Sequence, residues 1–223
     1  MTSWAHRYSE FLLWVVGALS VFALSCIPRC ARADPPTVTG DLVCGVQHAI
    51  RWQDPAWTER ECEAQAQAFV TSGERWGFKP VLLFAMAIVE SDMRPKAMRE
   101  DRGAFDVGEM AVRCKLGRDV RCTNKPVKGM TPARLMDPTV NIDVGAQILA
   151  TLHGGSLVGY NGGPNAREHG YPAKVGAIMS ALGGVEIRVK GHRMRELVKR
   201  IVSAVKTPRM EKLTGQIAKA VKP

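Results

Sequence analysis

The amino-acid sequence predicts an all-α fold, one helical domain followed by a basic, amphipathic helical extension. Three observations predict it. Apolar residues recur every three to four positions in several segments, which places them on one face of a helix. No segment alternates apolar with polar residues for long enough to mark a half-buried strand. Val81 to Val89 forms an apolar stretch with no charge, the pattern of a helix buried on all sides rather than on one. A length of 223 residues suits one domain with a sizeable core and a tail.

The elements follow in order. His6 and Arg7 precede an apolar segment from Phe11 to Ile27, and Ala31-Arg32-Ala33 forms a small-x-small site before Asp34. This is the pattern of an export signal over residues 1–33, with an uncleaved membrane anchor as the alternative. Residues 34–50, with Pro35-Pro36 and Gly40, are expected to be an extended lead-in. Asp54 as cap and Pro55 at the first position open a helix in which Cys62, Ala66, Phe69 and Val70 share a face. Trp76-Gly77-Phe78-Lys79-Pro80 ends it and starts the apolar helix that runs to Glu90. Residues 94–128 are rich in charge, Gly and Pro, and are expected to be irregular and functional. Asp137-Pro138 opens a helix to about Leu152, Leu157 to Tyr160 adds a turn, and a further helix spans Tyr171 to Leu182. The predicted domain is therefore residues 34–183. Residues 184–223 form a tail with apolar stripes at Met194-Leu197-Val198-Ile201-Val205 and Met210-Leu213-Ile217-Val221.

Without residues 1–33, four cysteines remain: Cys44, Cys62, Cys114 and Cys122. An even number in an oxidising compartment predicts two disulfides; of the three connectivities, the short separations favour Cys44 with Cys62 and Cys114 with Cys122. No Cys-x-x-Cys pair occurs and the histidines are scattered, so no metal site is expected. Charge is uneven. Residues 34–183 carry 17 basic and 17 acidic side chains, whereas residues 184–223 carry 11 basic and 3 acidic. In an exported chain such a tail suits anionic wall polymers or lipid headgroups better than nucleic acid. Its stripes are either surface helices packed on the domain or an interfacial anchor.

Glu90 is the candidate catalytic residue. A carboxyl group at the end of so apolar a helix loses hydration, which raises its pKa and keeps a proton for transfer near neutral pH. Tyr160-Asn161-Gly162-Gly163-Pro164 is a polar turn whose hydroxyl can face the same cleft. One acid and such a turn suit glycoside chemistry.

Four segments carry a family resemblance: Ala87-Ile88-Val89-Glu90-Ser91; Phe105-Asp106-Val107-Gly108-Glu109-Met110; Leu135-Met136-Asp137-Pro138 with Asn141-Ile142 and Gly145-Ala146; and Tyr160 to Pro164. In this order they make the chain resemble lytic transglycosylases of the soluble, goose-lysozyme-like type, including those that accompany secretion and conjugation machines. The match spans about Phe69 to Leu182. The resemblance implies a lysozyme-like helical domain that needs no cofactor and cuts the β-1,4 bond between N-acetylmuramic acid and N-acetylglucosamine. Glu90 would act as general acid and then base, leaving a 1,6-anhydro end. Ser91, Gly108, Glu109, Met110, Tyr160, Asn161 and Tyr171 become candidate substrate contacts.

The chain departs from the family pattern where Leu-Met-Gln is replaced by Glu109-Met110-Ala111. In the cleft, Glu109 would raise the Glu90 pKa by repulsion or hold a water for hydrolysis; facing solvent or an arginine, it would do neither. Alternatives to the transglycosylase are therefore a muramidase using Glu90 with Glu109 or Asp106, and a weakly active glycan-binding relative serving a cell-envelope assembly. The expected location is the periplasm or cell envelope, with peptidoglycan as partner and residues 184–223 as a contact for a membrane surface or a secretion or conjugation machine.

Overall fold

The computed structural model describes residues 37–51, 57–162, 170–183 and 191–206. The export signal, the cap at Asp54 and Pro55, Gly163 and Pro164, and the second apolar stripe of the tail lie outside these residues. Mainly helical architecture is present, as the sequence predicts, with eight helices and a small sheet among the described residues.

Helix α1 (Gly40–Ile50) is where the sequence predicted an extended lead-in. Thr39 accepts a hydrogen bond from the Leu42 amide at 3.3 Å, which satisfies one of the free N–H groups that every helix start presents. Leu42, Val43 and Val46 then fall on one buried face. Gly40 belongs to the packing: a Cβ there would strike the Glu63 carboxylate. Helix α2 (Glu59–Trp76) starts with a capping box in which the Thr58 hydroxyl and the Glu61 carboxylate each accept from the other residue's backbone N–H. It ends at Gly77, whose φ of 75° closes the last turn. The Cys44–Cys62 disulfide joins α1 to α2, and Cys114–Cys122 closes a loop after the sheet, the two favoured pairings.

Helix α3 (Pro80–Ser91) is the apolar helix, with Pro80 at its first turn. Val81, Leu83, Phe84, Ala85, Met86, Ala87 and Ile88 are all buried, because α2, α5 and α7 surround it. The Phe69 and Phe84 rings meet at 5.2 Å in a tilted pair between α2 and α3.

Residues expected to be irregular instead contain a three-stranded antiparallel sheet, β1 (Met98–Asp101), β2 (Ala104–Val107) and β3 (Val112–Cys114), in that order. Arg102 and Gly103 turn the first hairpin with φ of 51° and 72°, a two-residue connection whose twist suits the strands. Val107 and Val112 face the core, while the opposite face carries Arg99, Asp106 and Arg113. Thr131 caps α4 (Pro132–Leu135) and Asp137 caps α5 (Pro138–Thr151). After α6 (Leu157–Gly162) come α7 (Tyr171–Leu182) and α8 (His192–Val205). Helix α8 buries Val198, Ile201 and Val202 against α1 and α7, so this apolar stripe of the tail is a packed surface helix. No helix among the described residues is long and apolar enough to cross a membrane.

Candidate active site

Glu90 lies in the last turn of α3, its backbone positioned by the buried residues before it. Asp92 and Met93 follow with φ of 53° and 56°, so the chain turns sharply away and leaves the carboxyl group at the helix end. Ser91 holds that turn together: its hydroxyl donates to the Ala87 carbonyl at 3.3 Å and accepts from the Arg94 amide at 3.1 Å. It lines the cleft, but both its hydrogen-bonding roles go to the backbone.

Two cavities meet at Glu90. One, about 670 Å3, runs from Ser91 and Gly108 past Lys174 to the start of α8. The other, about 650 Å3, extends from Asp106 along β3 to His153, Tyr160 and Asn161. Glu90, Arg99, Asp106 and Ala111 line both, so the carboxyl group stands where the two lobes of one groove join. A groove open on both sides of an acid suits a polymeric substrate.

Burial pushes the Glu90 pKa up to about 7, and Asp106 adds to the rise. The Tyr171 hydroxyl beside it, with Arg99 and Lys174, opposes the rise. Tyr171 is itself buried, and its hydroxyl approaches Glu90 without reaching full hydrogen-bond geometry or finding another partner. Burial and the Glu90 charge hold the Tyr171 hydroxyl in its neutral form. Tyr160 donates its hydroxyl to the Met110 carbonyl at 2.8 Å, which fixes its ring against the 108–111 turn. Asn161 is exposed at the same lobe.

That turn is built by Asn141 on α5. Its amide donates to the Val107 and Leu135 carbonyls at 2.9 and 2.8 Å and its oxygen accepts from the Met110 amide at 2.7 Å. Gly108, at φ 75°, fits against it because a Cβ would strike the Asn141 side chain and lie 2.7 Å from the Leu135 carbonyl. Gly108 and Ala111 therefore present backbone to the groove. Met110 does not: its side chain is fully buried against Gly145, and it serves the site through its backbone.

Glu109 faces neither the groove nor solvent; of the placements expected from sequence, only the attraction of an arginine, Arg51, is present. It is fully buried, accepts a hydrogen bond from the Gln65 amide, and lines neither lobe. Burial pushes its pKa up to about 7 as well, opposed by Gln65 and Arg51. The turn that presents Gly108 outward sends the following side chain inward, so the acid is part of the core. Asp106, the other candidate second carboxylate, does line the groove. It is held by Arg99 at 3.2 Å and by Arg113 at 3.2 Å.

Sequence reasoning did not single out Arg99, Lys174 or the start of α8. Lys174 lies one turn after Tyr171 on α7 and shares its approach to Glu90. Helical spacing from Tyr171 was the signal that could have found it. No group of three or more His, Cys, Asp or Glu side chains able to hold a metal occurs among the described residues.

A search of curated proteins returned no match. Residues 67–172 match the family model of the transglycosylase SLT domain. That domain indicates peptidoglycan transglycosylase activity and peptidoglycan binding in general, and its members act outside the cytoplasm, which the two disulfides fit. Over residues 67–172, from the middle of α2 to the start of α7, the chain is similar to the transglycosylase SLT domain family.

Proposed function

We propose that the protein is an exported lytic transglycosylase that cleaves the N-acetylmuramic acid to N-acetylglucosamine bond with Glu90 alone. The observation that carries this reading is a single available carboxyl group at the junction of the two lobes, with Asp106 bound by two arginines and Glu109 in the core.

The steps follow from that arrangement. Protonated Glu90 gives its proton to the glycosidic oxygen as the bond from that oxygen to the muramic C1 breaks. The substrate's acetamide oxygen stabilises the cation at C1, the substrate-assisted exception to the two-carboxylate rule. Glu90, now ionised, removes the proton of the muramic C6 hydroxyl as O6 bonds to C1. The 1,6-anhydro ring closes, the acetamide is released and Glu90 regains its proton. Tyr171 stabilises the ionised form between the two steps. Tyr160 and the backbone of residues 108–111 line the sugar sites, and the periplasm or cell envelope is the place of action.

Digestion of purified peptidoglycan tests the reading. Transglycosylation gives 1,6-anhydro muropeptides, lighter by one water than the reducing ends that hydrolysis gives, and reducing ends alone would overturn it. Glu90→Gln is expected to lower the rate by at least about 1,000-fold, since the one group serving as acid and base is lost.

A further inference from the structure

The lobe that ends at α8 carries an unbalanced charge. Arg94, Arg99, Lys174 and Arg193 line it as cations, against Asp92 and Asp106 with Glu90 at the junction. Even with Glu90 ionised, the cations are in excess by one. Pairing leaves the same remainder. Arg99 binds Asp106 at 3.2 Å, while Arg193 at 2.8 Å and Arg94 at 3.7 Å share the single carboxylate of Asp92. Lys174 has no ion pair with a carboxylate among the described residues other than its longer-range attraction to Glu90. Its ammonium is exposed, as is the His192 imidazole across the lobe.

Helix α8 supplies this wall, and it lies outside the matched segment 67–172. His192 and Arg193 sit at its start, and Met194 and Leu197 add an apolar patch beside them. The buried face of Val198, Ile201 and Val202 holds the helix in place. The lobe thus offers cations next to a small apolar surface, within electrostatic range of the reacting acid. Peptidoglycan presents the matching chemistry at the same point. The muramic unit that is cleaved carries a lactyl arm on its ring, which ends either in a free carboxylate or in a short peptide with carboxylates and alanyl methyl groups.

We propose that the α8 lobe is a subsite for this acidic arm, in which Lys174 and His192 receive its carboxylate and Met194 and Leu197 receive its aliphatic part. The subsite rests on the reading of the substrate as peptidoglycan. It makes α8 a determinant of which strands are accepted, with attraction by two exposed groups that line one lobe as its source.

Binding is tested in the full chain carrying Glu90→Gln, so that no cleavage occurs, by calorimetric titration with four soluble glycan strands. These are strands with peptides, strands stripped by an amidase so that the lactyl carboxylate is free, and each of the two with its carboxyl groups converted to methylamides. Methylamidation is expected to weaken binding about 5-fold, and adding Lys174→Gln with His192→Gln is expected to remove that difference while changing affinity for methylamidated strands less than 2-fold. A charge preference seen only with peptide-bearing strands assigns the subsite to peptide carboxylates, and one seen with stripped strands assigns it to the lactyl group. Equal binding of charged and methylamidated strands, an equal loss on both in the double variant, or no binding of any strand would overturn the subsite. Both substituted side chains are exposed, and an unchanged Tm identifies the variants as folded. Because the readout is binding, a finding of hydrolysis in the product test would remove the transglycosylase reading and leave this result intact.

Discussion

At the residue scale, half-buried Glu90 and fully buried Glu109 have opposite situations. Glu90 and Glu109 both have pKa values raised to about 7 by burial, but Glu90 opens onto a groove and Glu109 onto Gln65. A carboxyl group whose pKa rises from 4.5 unfolded to about 7 folded binds more protons in the folded state across that interval. Stability is then fully present below pH 4.5 and falls as pH rises towards about 7, where the folded protein too must ionise the group. Glu109→Gln removes this cost and keeps a partner for Gln65, so it is expected to stabilise the protein by about 1–3 kcal/mol at pH 8 and to do little at pH 4. Tm measured across that range checks it; a Tm gain independent of pH would show that ionisation is not the cause. For Glu90 the same shift concerns rate. In the proposed role of general acid Glu90 must be protonated, so kcat is expected to fall as pH rises through about 7. Sequence made Glu90 legible because its neighbours on α3 predict its burial. It could not place Glu109, whose partner Gln65 lies 44 positions away on α2.

At the scale of elements, the site depends on α5 holding the turn after β2. Asn141 supplies three hydrogen bonds from a fully buried side chain, two to carbonyls and one from an amide. Asn141→Ala would leave Val107, Leu135 and Met110 with unpaired buried groups, a cost of about 2–4 kcal/mol. Because the Tyr160 hydroxyl is anchored on the Met110 carbonyl, the turn and α6 should loosen together. Thermal unfolding measures the first effect. A rise in KM for glycan strands at a temperature where the variant is folded measures the second. The helices that sequence located best, α3, α5 and α7, carry long apolar patterns with Pro at the first turn and, for α5, Asp137 as cap. Helix α1 was missed because Pro35-Pro36 and Gly40 outweigh a cap at Thr39, and because its apolar residues make sense only against α2 and α8. The sheet was missed for a different reason. Its strands are three or four residues long, and β1 reads Met-Arg-Glu-Asp, so pairing across the Arg102-Gly103 turn rather than any local pattern defines them.

Across the whole molecule, the groove is coupled to a part of the chain that no motif marks. Helix α8 forms one wall of the Glu90 groove, and it is seated on α1 and α7. Helix α1 is in turn tied to α2 by Cys44–Cys62. The disulfide therefore supports the wall through two packing steps, although neither cysteine approaches Glu90. A bridge across a separation of 18 residues stabilises the folded state by about 3 kcal/mol through restriction of the unfolded chain. Replacing both cysteines with Ala should lower stability by roughly that amount, with the first loss of order in α1 and α8 rather than in the buried helix α3. Hydrogen exchange distinguishes the two regions. Amides of α1 and α8 are expected to lose protection by about 10-fold or more under conditions where α3 keeps it, as local opening is set by the packing and links that an element has. Glycan cleavage should fall with α8 protection while the pH at which kcat declines stays near 7, since α3 still buries Glu90. If α3 amides exchange as fast as those of α1 and α8 in the double variant, the disulfide secures the entire core instead, and the wall is not a separable part of the groove.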